Sequence, residues 1–146
     1  MRKTILIMAG GTGGHIFPAL AVAEVLAARG WRVVWMGVKT GMEARIVPRS
    51  GYEMTFVDFQ GVRGKGLVSF ALLPYRLLRA FLQPALAIRS LAPDVVLGMG
   101  GYISFPGGMM ATALNRPLAI HEQNSVPGTA TRLLGQVGGP ACGRLA

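Results

Sequence analysis

Short apolar runs alternate along the chain with longer segments in which apolar residues recur at helical spacing. Residues 4–9 (TILIMA) are almost continuously apolar, the pattern of a strand covered on both faces, and they lead into the turn Gly10-Gly11-Thr12-Gly13-Gly14. Residues 16–29 then read as a helix with Pro18 in its first turn, where a missing N–H costs little, and Gly30 just past its end. Residues 31–37 (WRVVWMG) give a second strand, 42–49 a short helix and 53–59 a third strand. A basic, glycine-rich loop over 60–66 precedes a largely helical stretch, 67–91, which Pro74 and Pro84 are expected to kink or divide. A strand over 94–97, a glycine turn over 98–101, a helix over 105–114, a last strand over 117–121 and a helix near 129–134 complete the pattern.

Strand and helix alternating in this way predict an α/β fold built on a doubly wound parallel sheet. Ligands of such sheets sit beyond the carboxyl ends of the strands. Three glycine-rich or polar loops fall there: residues 10–15, 98–102 and 121–128. Their convergence is the main evidence from the pattern for a single site.

Composition narrows the class. The chain has 146 residues, 51% hydrophobic and 14% charged, which suits one domain with a real core and excludes a disordered chain. Lys plus Arg number 15 against 6 acids, a formal charge of +9, which points to an anionic partner or, as the alternative, to arginine-rich codon usage. The single cysteine, Cys142, permits no internal disulfide and favours a reducing compartment. The apolar run after Met1-Arg2-Lys3 is too short for a secretory signal, and no stretch of the chain is long and apolar enough to span a bilayer.

The first glycine loop sets amides without bulky side chains before a helix N-terminus, a site suited to phosphate. It fails the dinucleotide fingerprint, because Ile16 stands where the third glycine belongs and Gly37-Val38 end the second strand where a ribose-binding acid is expected. No Gly-Lys-Ser/Thr follows, which excludes a Walker loop. Gly98-Met99-Gly100-Gly101-Tyr102 repeats the arrangement before another helix, so the pair suits a diphosphate. Gly107 and Gly108, each costing about 1 kcal/mol in a helix relative to Ala, imply close approach of a ligand or of another chain segment. His15 follows the first loop, where an imidazole suits a general base or a phosphate contact, although such a histidine equally serves as a cap. His121 and Glu122 suit an internal network and Asn124 a contact to sugar hydroxyls or amides.

From Gln60 to Pro93 there is no acid, while Arg63, Lys65, Arg76, Arg79 and Arg89 lie among Leu67, Val68, Phe70, Leu72, Leu73, Tyr75, Leu77, Leu78, Phe81 and Leu82. Ten large apolar residues in sixteen positions exceed one buried helical stripe, so some of them are expected at the surface, edged with arginine as an interfacial membrane segment requires. The alternative is an ordinary crossover helix packed on the sheet. Glycine-rich crevices rather than a basic recognition helix dominate the chain, which argues against nucleic acid.

The loop and helix Gly10-Gly11-Thr12-Gly13-Gly14-His15-Ile16-Phe17-Pro18-Ala19-Leu20-Ala21-Val22-Ala23 resemble those of the MurG glycosyltransferases. Gly61-Val62-Arg63-Gly64-Lys65-Gly66, Pro93-Asp94-Val95-Val96-Leu97-Gly98-Met99-Gly100-Gly101-Tyr102 and His121-Glu122-Gln123-Asn124 resemble the same family in the same order. The resemblance implies the N-terminal half of a GT-B enzyme, with two Rossmann-like domains and a cleft between them. It implies transfer of N-acetylglucosamine, with inversion, from UDP-N-acetylglucosamine to the 4-hydroxyl of the muramyl sugar of lipid I, giving lipid II of peptidoglycan. No cofactor or metal is implied.

By that resemblance His15 is the base. Thr12, Gly13, Gly14 and Asn124 touch the donor, and Gly11, Gly13, Gly14, Gly100, Gly101 and Tyr102 hold the acceptor diphosphate. Arg63, Lys65, Leu72, Leu73, Tyr75, Arg76, Arg79 and Phe81 belong to the face that docks on the anionic cytoplasmic side of the bacterial cell membrane. Residues 1–134 form the expected acceptor-binding domain. Thr131 departs from the family pattern, and residues 135–146 no longer resemble it, as after a frameshift or early stop; the donor-binding domain is expected to be missing and the chain alone inactive. The competing reading is a membrane-associated module that binds lipid diphosphates without chemistry.

Overall fold

The computed structural model describes residues 1–58 and 72–122. Five strands, β1 (Thr4–Met8), β2 (Arg32–Gly37), β3 (Glu53–Phe56), β4 (Val95–Gly98) and β5 (Leu118–Ile120), form one sheet in the order β3-β2-β1-β4-β5. Every pairing is parallel, with Ile5 opposite Val33 on one side of β1 and opposite Val95 on the other. Strand side chains alternate between the two faces. Ile5, Ile7, Val33, Trp35 and Leu97 therefore pack with Ile16, Ala19, Ala23 and Val47 on one face, and Leu6, Met8, Val34, Met36 and Val96 pack with Ile88, Ile103 and Ala111 on the other. Burial on both faces explains why the strands lack a polar alternation in the sequence. Between β1 and β4 the winding reverses, and the crevice beyond their carboxyl ends is where such a sheet opens to a ligand.

Helices α1 (Gly13–Ala28), α2 (Glu43–Arg49), α3 (Leu73–Leu91) and α4 (Ser104–Ala113) connect the strands. Several boundaries differ from the expected ones for identifiable reasons. Helix α1 begins three residues before Ile16, because the Thr12 carbonyl already accepts the N–H groups of His15 and Ile16. Pro18 consequently lies in the second turn and supplies no N–H to the carbonyl of Gly14. Gly30 follows with φ +83°, as the end of a helix favours. Helix α3 is a single helix: Pro74 sits within its first two positions, and the buried Pro84 lies inside it without dividing it. Asp94 is outside β4, where its carboxylate accepts the Thr4 N–H at 2.7 Å and its own N–H bonds the Thr4 carbonyl. Strand β3 stops at Phe56, although Val57 still donates to the Gly37 carbonyl. The expected loop 60–66, the beginning of the stretch 67–91, the helix near 129–134 and the tail 135–146 lie outside the described residues.

Candidate active site

Two glycine loops meet at the crevice. The N–H of Met99, past β4, donates to the carbonyl of Met8 at the end of β1, which ties the loops at their base. Above that tie Gly101 holds φ +88°, and a Cβ there would fall on the carbonyl oxygen of Gly10. Gly100 holds φ +102°, and a Cβ there would stand 2.6 Å from Nδ1 of His15. Positive φ and steric approach thus both require glycine at 100 and 101. Ser104 braces the second loop: its hydroxyl accepts the Gly100 N–H and lies within hydrogen-bonding distance of the Met8 and Gly100 carbonyls. The buried Trp35 indole donates to the Ala9 carbonyl at 2.9 Å and braces the first loop from below.

His15, in the first turn of α1, reaches across to the second loop, with Nδ1 3.1 Å from the carbonyl oxygen of Met99. A carbonyl only accepts, so Nδ1 carries the proton and Nε2 is the basic nitrogen. A histidine at this position is therefore held in the tautomer a general base requires.

The first loop is sparser in donors than five outward amides would be. The N–H of Gly11 turns inward to a carboxylate oxygen of Glu43 at 3.4 Å, and those of His15 and Ile16 bond the Thr12 carbonyl. The amides of Thr12 and Gly13 have no acceptor among the described residues, and both stand at the mouth of α1 where the helix dipole favours an anion. Thr12 and Gly14 are exposed and Gly13 is half-buried.

Glu43, at the start of α2, is fully buried. It accepts the Val38 N–H at 3.1 Å and the Tyr102 hydroxyl at 3.1 Å besides the Gly11 amide. Burial, then the Glu43 charge, then the hydrogen bond to it push the Tyr102 phenol up to about 12. The sequence pattern did not single out Glu43. The available signal is the crowd of glycines around it, Gly10, Gly37 and Gly41, at each of which a Cβ would meet this one side chain. Gly107, expected to admit a ligand or a chain segment, admits a chain segment: a Cβ there would fall on the sulfur of Met8, so it lets α4 settle on β1.

His121, past β5, donates its backbone N–H to the Gly98 carbonyl, and it and Glu122 are half-buried beside the second loop. Asn124, Arg63 and Lys65 lie outside the described residues. On α3, Tyr75, Leu78, Leu82 and Leu86 follow one another at helical spacing and are 57, 63, 48 and 58% exposed, a continuous apolar stripe facing outward. Leu72 and Leu77 are also exposed, and Leu73 is half-buried. Arg79 stands in this stripe over the Tyr75 ring and bonds Asp58 at 2.9 Å, and Arg76 is half-buried one turn away. Phe81 turns the other way, edge-on to Phe105 of α4. No described helix is long and apolar enough to cross a membrane, and no metal-ligating cluster occurs among the described residues.

A doubly wound sheet with a glycine-lined crevice and a histidine fixed above it defines a Rossmann-like domain of the glycosyltransferase kind, and comparison with known proteins agrees. Residues 5–138 match the glycosyltransferase family 28 N-terminal domain, and the chain belongs to that family. It is 64% identical over 132 residues to the UDP-N-acetylglucosamine--N-acetylmuramyl-(pentapeptide) pyrophosphoryl-undecaprenol N-acetylglucosamine transferase of Aromatoleum aromaticum, covering 90% of this chain and 37% of that protein. It is 62% identical to the protein of the same name from Dechloromonas aromatica, covering 94% of this chain and 39% of that one. The crystal structure of Acinetobacter baumannii MurG superposes with a TM-score of 0.81 at 40% identity, over 93% of this chain and 39% of that one. A glycotransferase of kitacinnamycin, at 20% identity and TM-score 0.63, shares the fold. The chain thus spans less than two fifths of the length of these relatives.

Proposed function

We propose that this chain is the acceptor-binding half of an inverting N-acetylglucosaminyltransferase that converts lipid I to lipid II. The observation that carries the reading is His15: one loop presents its imidazole and the other fixes its tautomer, beside the amides of Thr12 and Gly13. In the reaction the 4-hydroxyl of the muramyl sugar gives its proton to Nε2 of His15 as its oxygen attacks C1 of the donor sugar. The bond from C1 to the UDP phosphate breaks, UDP leaves and the anomeric centre inverts. The Thr12 and Gly13 amides at the α1 dipole suit a ligand phosphate, and Gly14, Gly100 and Gly101, lacking side chains, let an acceptor diphosphate approach the loops; Thr12, Gly13, Gly14 and Asn124 are assigned to the donor as well. Tyr102 donates its hydroxyl hydrogen bond to Glu43, so its ring is the part suited to a ligand. The outward stripe of α3 with Arg76 and Arg79 supports peripheral docking on the cytoplasmic face of the cell membrane, where lipid I is embedded. Arg63 and Lys65 are assigned to the same face.

The test supplies the C-terminal portion of the Dechloromonas aromatica relative in trans and follows sugar transfer from UDP-N-acetylglucosamine to a soluble lipid I analogue. We expect transfer with the wild-type chain and a loss of roughly a hundredfold or more with His15→Ala. Equal rates for the two would remove His15 as the base. Binding of the analogue with no transfer under any condition would favour a lipid-diphosphate-binding module without chemistry.

A further inference from the structure

Glu43 is the only fully buried charged side chain among the described residues, and no cation pairs with it there. Burying a carboxylate is costly unless hydrogen bonds satisfy it. Three do, and each comes from a different strand end: Gly11 after β1, Val38 after β2 and Tyr102 after β4. The surrounding backbone is shaped to admit it. A Cβ on Gly10 would come within 2.9 Å of Oε1, one on Gly37 within 2.5 Å of Cγ, and one on Gly41 would fall on the carboxylate itself. A group that serves only to fill a core does not need three donors and three glycines.

We infer that Glu43 is a positioning residue for anion binding: beneath the crevice it draws in the Gly11 amide and the Tyr102 hydroxyl, and so fixes the first glycine loop with the Thr12 and Gly13 amides left to the ligand. The inference rests on the proposed diphosphate site and deepens it. It also assigns a polarity, since Gly11 N–H and Tyr102 O–H are spent on Glu43 and do not donate to the anion. Two effects of the charge oppose each other. A carboxylate under the loop repels a bound diphosphate, whereas its hydrogen bonds hold the loop in the binding shape. The charge of Glu43 is met by three hydrogen bonds, which weakens its repulsion of the ligand, while the same bonds set which way the loop amides point, so positioning dominates.

Glu43→Gln separates the two. Glutamine keeps the shape and removes the charge, but its one oxygen serves Val38 and Tyr102 only by setting its NH2 against the Gly11 N–H, donor to donor. Inorganic pyrophosphate is titrated calorimetrically into the wild-type 146-residue chain, E43Q, Y102F and the double variant, with circular dichroism confirming the fold. We expect binding weakened roughly tenfold in E43Q and less in Y102F, with the double variant falling short of the summed effects because the two residues act through one bond. In E43Q the Tyr102 phenol, now at about 12, is expected to ionise at lower pH, read from phenolate absorbance against Y102F. A folded E43Q that binds pyrophosphate as tightly as the wild type, or more tightly, overturns the inference. So does a Tyr102 titration that ignores the substitution. Should E43Q not fold, Y102F decides, because Tyr102 is a partly exposed surface ring; unchanged binding in Y102F then overturns the inference. A wild-type chain that binds no pyrophosphate overturns the proposed site and this inference together.

Discussion

Gly30 and Gly101 both hold positive φ, +83° and +88°, and at first sight the same substitution should cost the same at each. Around Gly30 nothing lies within 4 Å of an added Cβ, whereas at Gly101 the Cβ would strike the Gly10 carbonyl. Alanine at Gly30 therefore meets only the left-handed backbone penalty, about 1 kcal/mol. At Gly101 the loops must also part, and the expected loss is roughly 3 kcal/mol or more, with local strain on top of the backbone term. Urea unfolding of the two variants measures the difference. Equal midpoints would mean that the loops yield freely and that their contact does not shape the site. The same residue-scale logic explains His15: the ring that Gly100 makes room for is the ring whose tautomer Met99 fixes, so a bulkier residue at 100 displaces the proposed base as well as straining the loop.

Helix α3 carries two faces of different meaning. Ile88 and Pro84 bury against the sheet and α4, and Phe81 meets Phe105, while Tyr75, Leu78, Leu82 and Leu86 stand outward. Leu78 and Leu82 belong to neither buried core cluster, so replacing both by Ser should shift the melting temperature by only a few degrees at most, about 4 °C. If the stripe docks on lipid, the same pair of changes should lower binding to anionic liposomes by roughly a hundredfold or more, each buried leucine contributing on the order of 1.5–3 kcal/mol. Cosedimentation unaffected by the pair would leave the charge to do the binding, or the face to another partner. Exposure of part of this stretch was legible in the sequence, because too many large apolar residues crowd one helix. So were the strands, whose two buried faces leave no polar residues to confuse the reading. The prolines were less legible: whether Pro84 breaks a helix depends on the packing of that turn against the sheet, which local pattern does not contain. Glu43 was the least legible, since its partners at 11, 38 and 102, like the glycines at 10, 37 and 41 that make room for it, converge only once the sheet has ordered β2, β1 and β4 side by side.

At the scale of the molecule, the proposed function makes the chain one wall of a cleft: it covers 37% and 39% of the Aromatoleum and Dechloromonas relatives, and the residues assigned to the donor are few. Holding both reactants in near-attack geometry contributes on the order of 7–11 kcal/mol of barrier reduction, and a single wall places only one of them. On the proposed function, the isolated chain should therefore bind a lipid diphosphate yet turn over UDP-N-acetylglucosamine slower than the full-length relatives by many orders of magnitude. Its formal charge of +9 should make the proposed membrane binding strongly salt-dependent, since screening at physiological ionic strength acts over about 8 Å. Transfer on adding a relative's C-terminal portion should then rise in proportion to the concentration of that portion and saturate, the signature of a cleft assembled from two separate chains. A wild-type rate from this chain alone, with no second portion present, would show that one wall suffices and would move the donor site onto the residues described above.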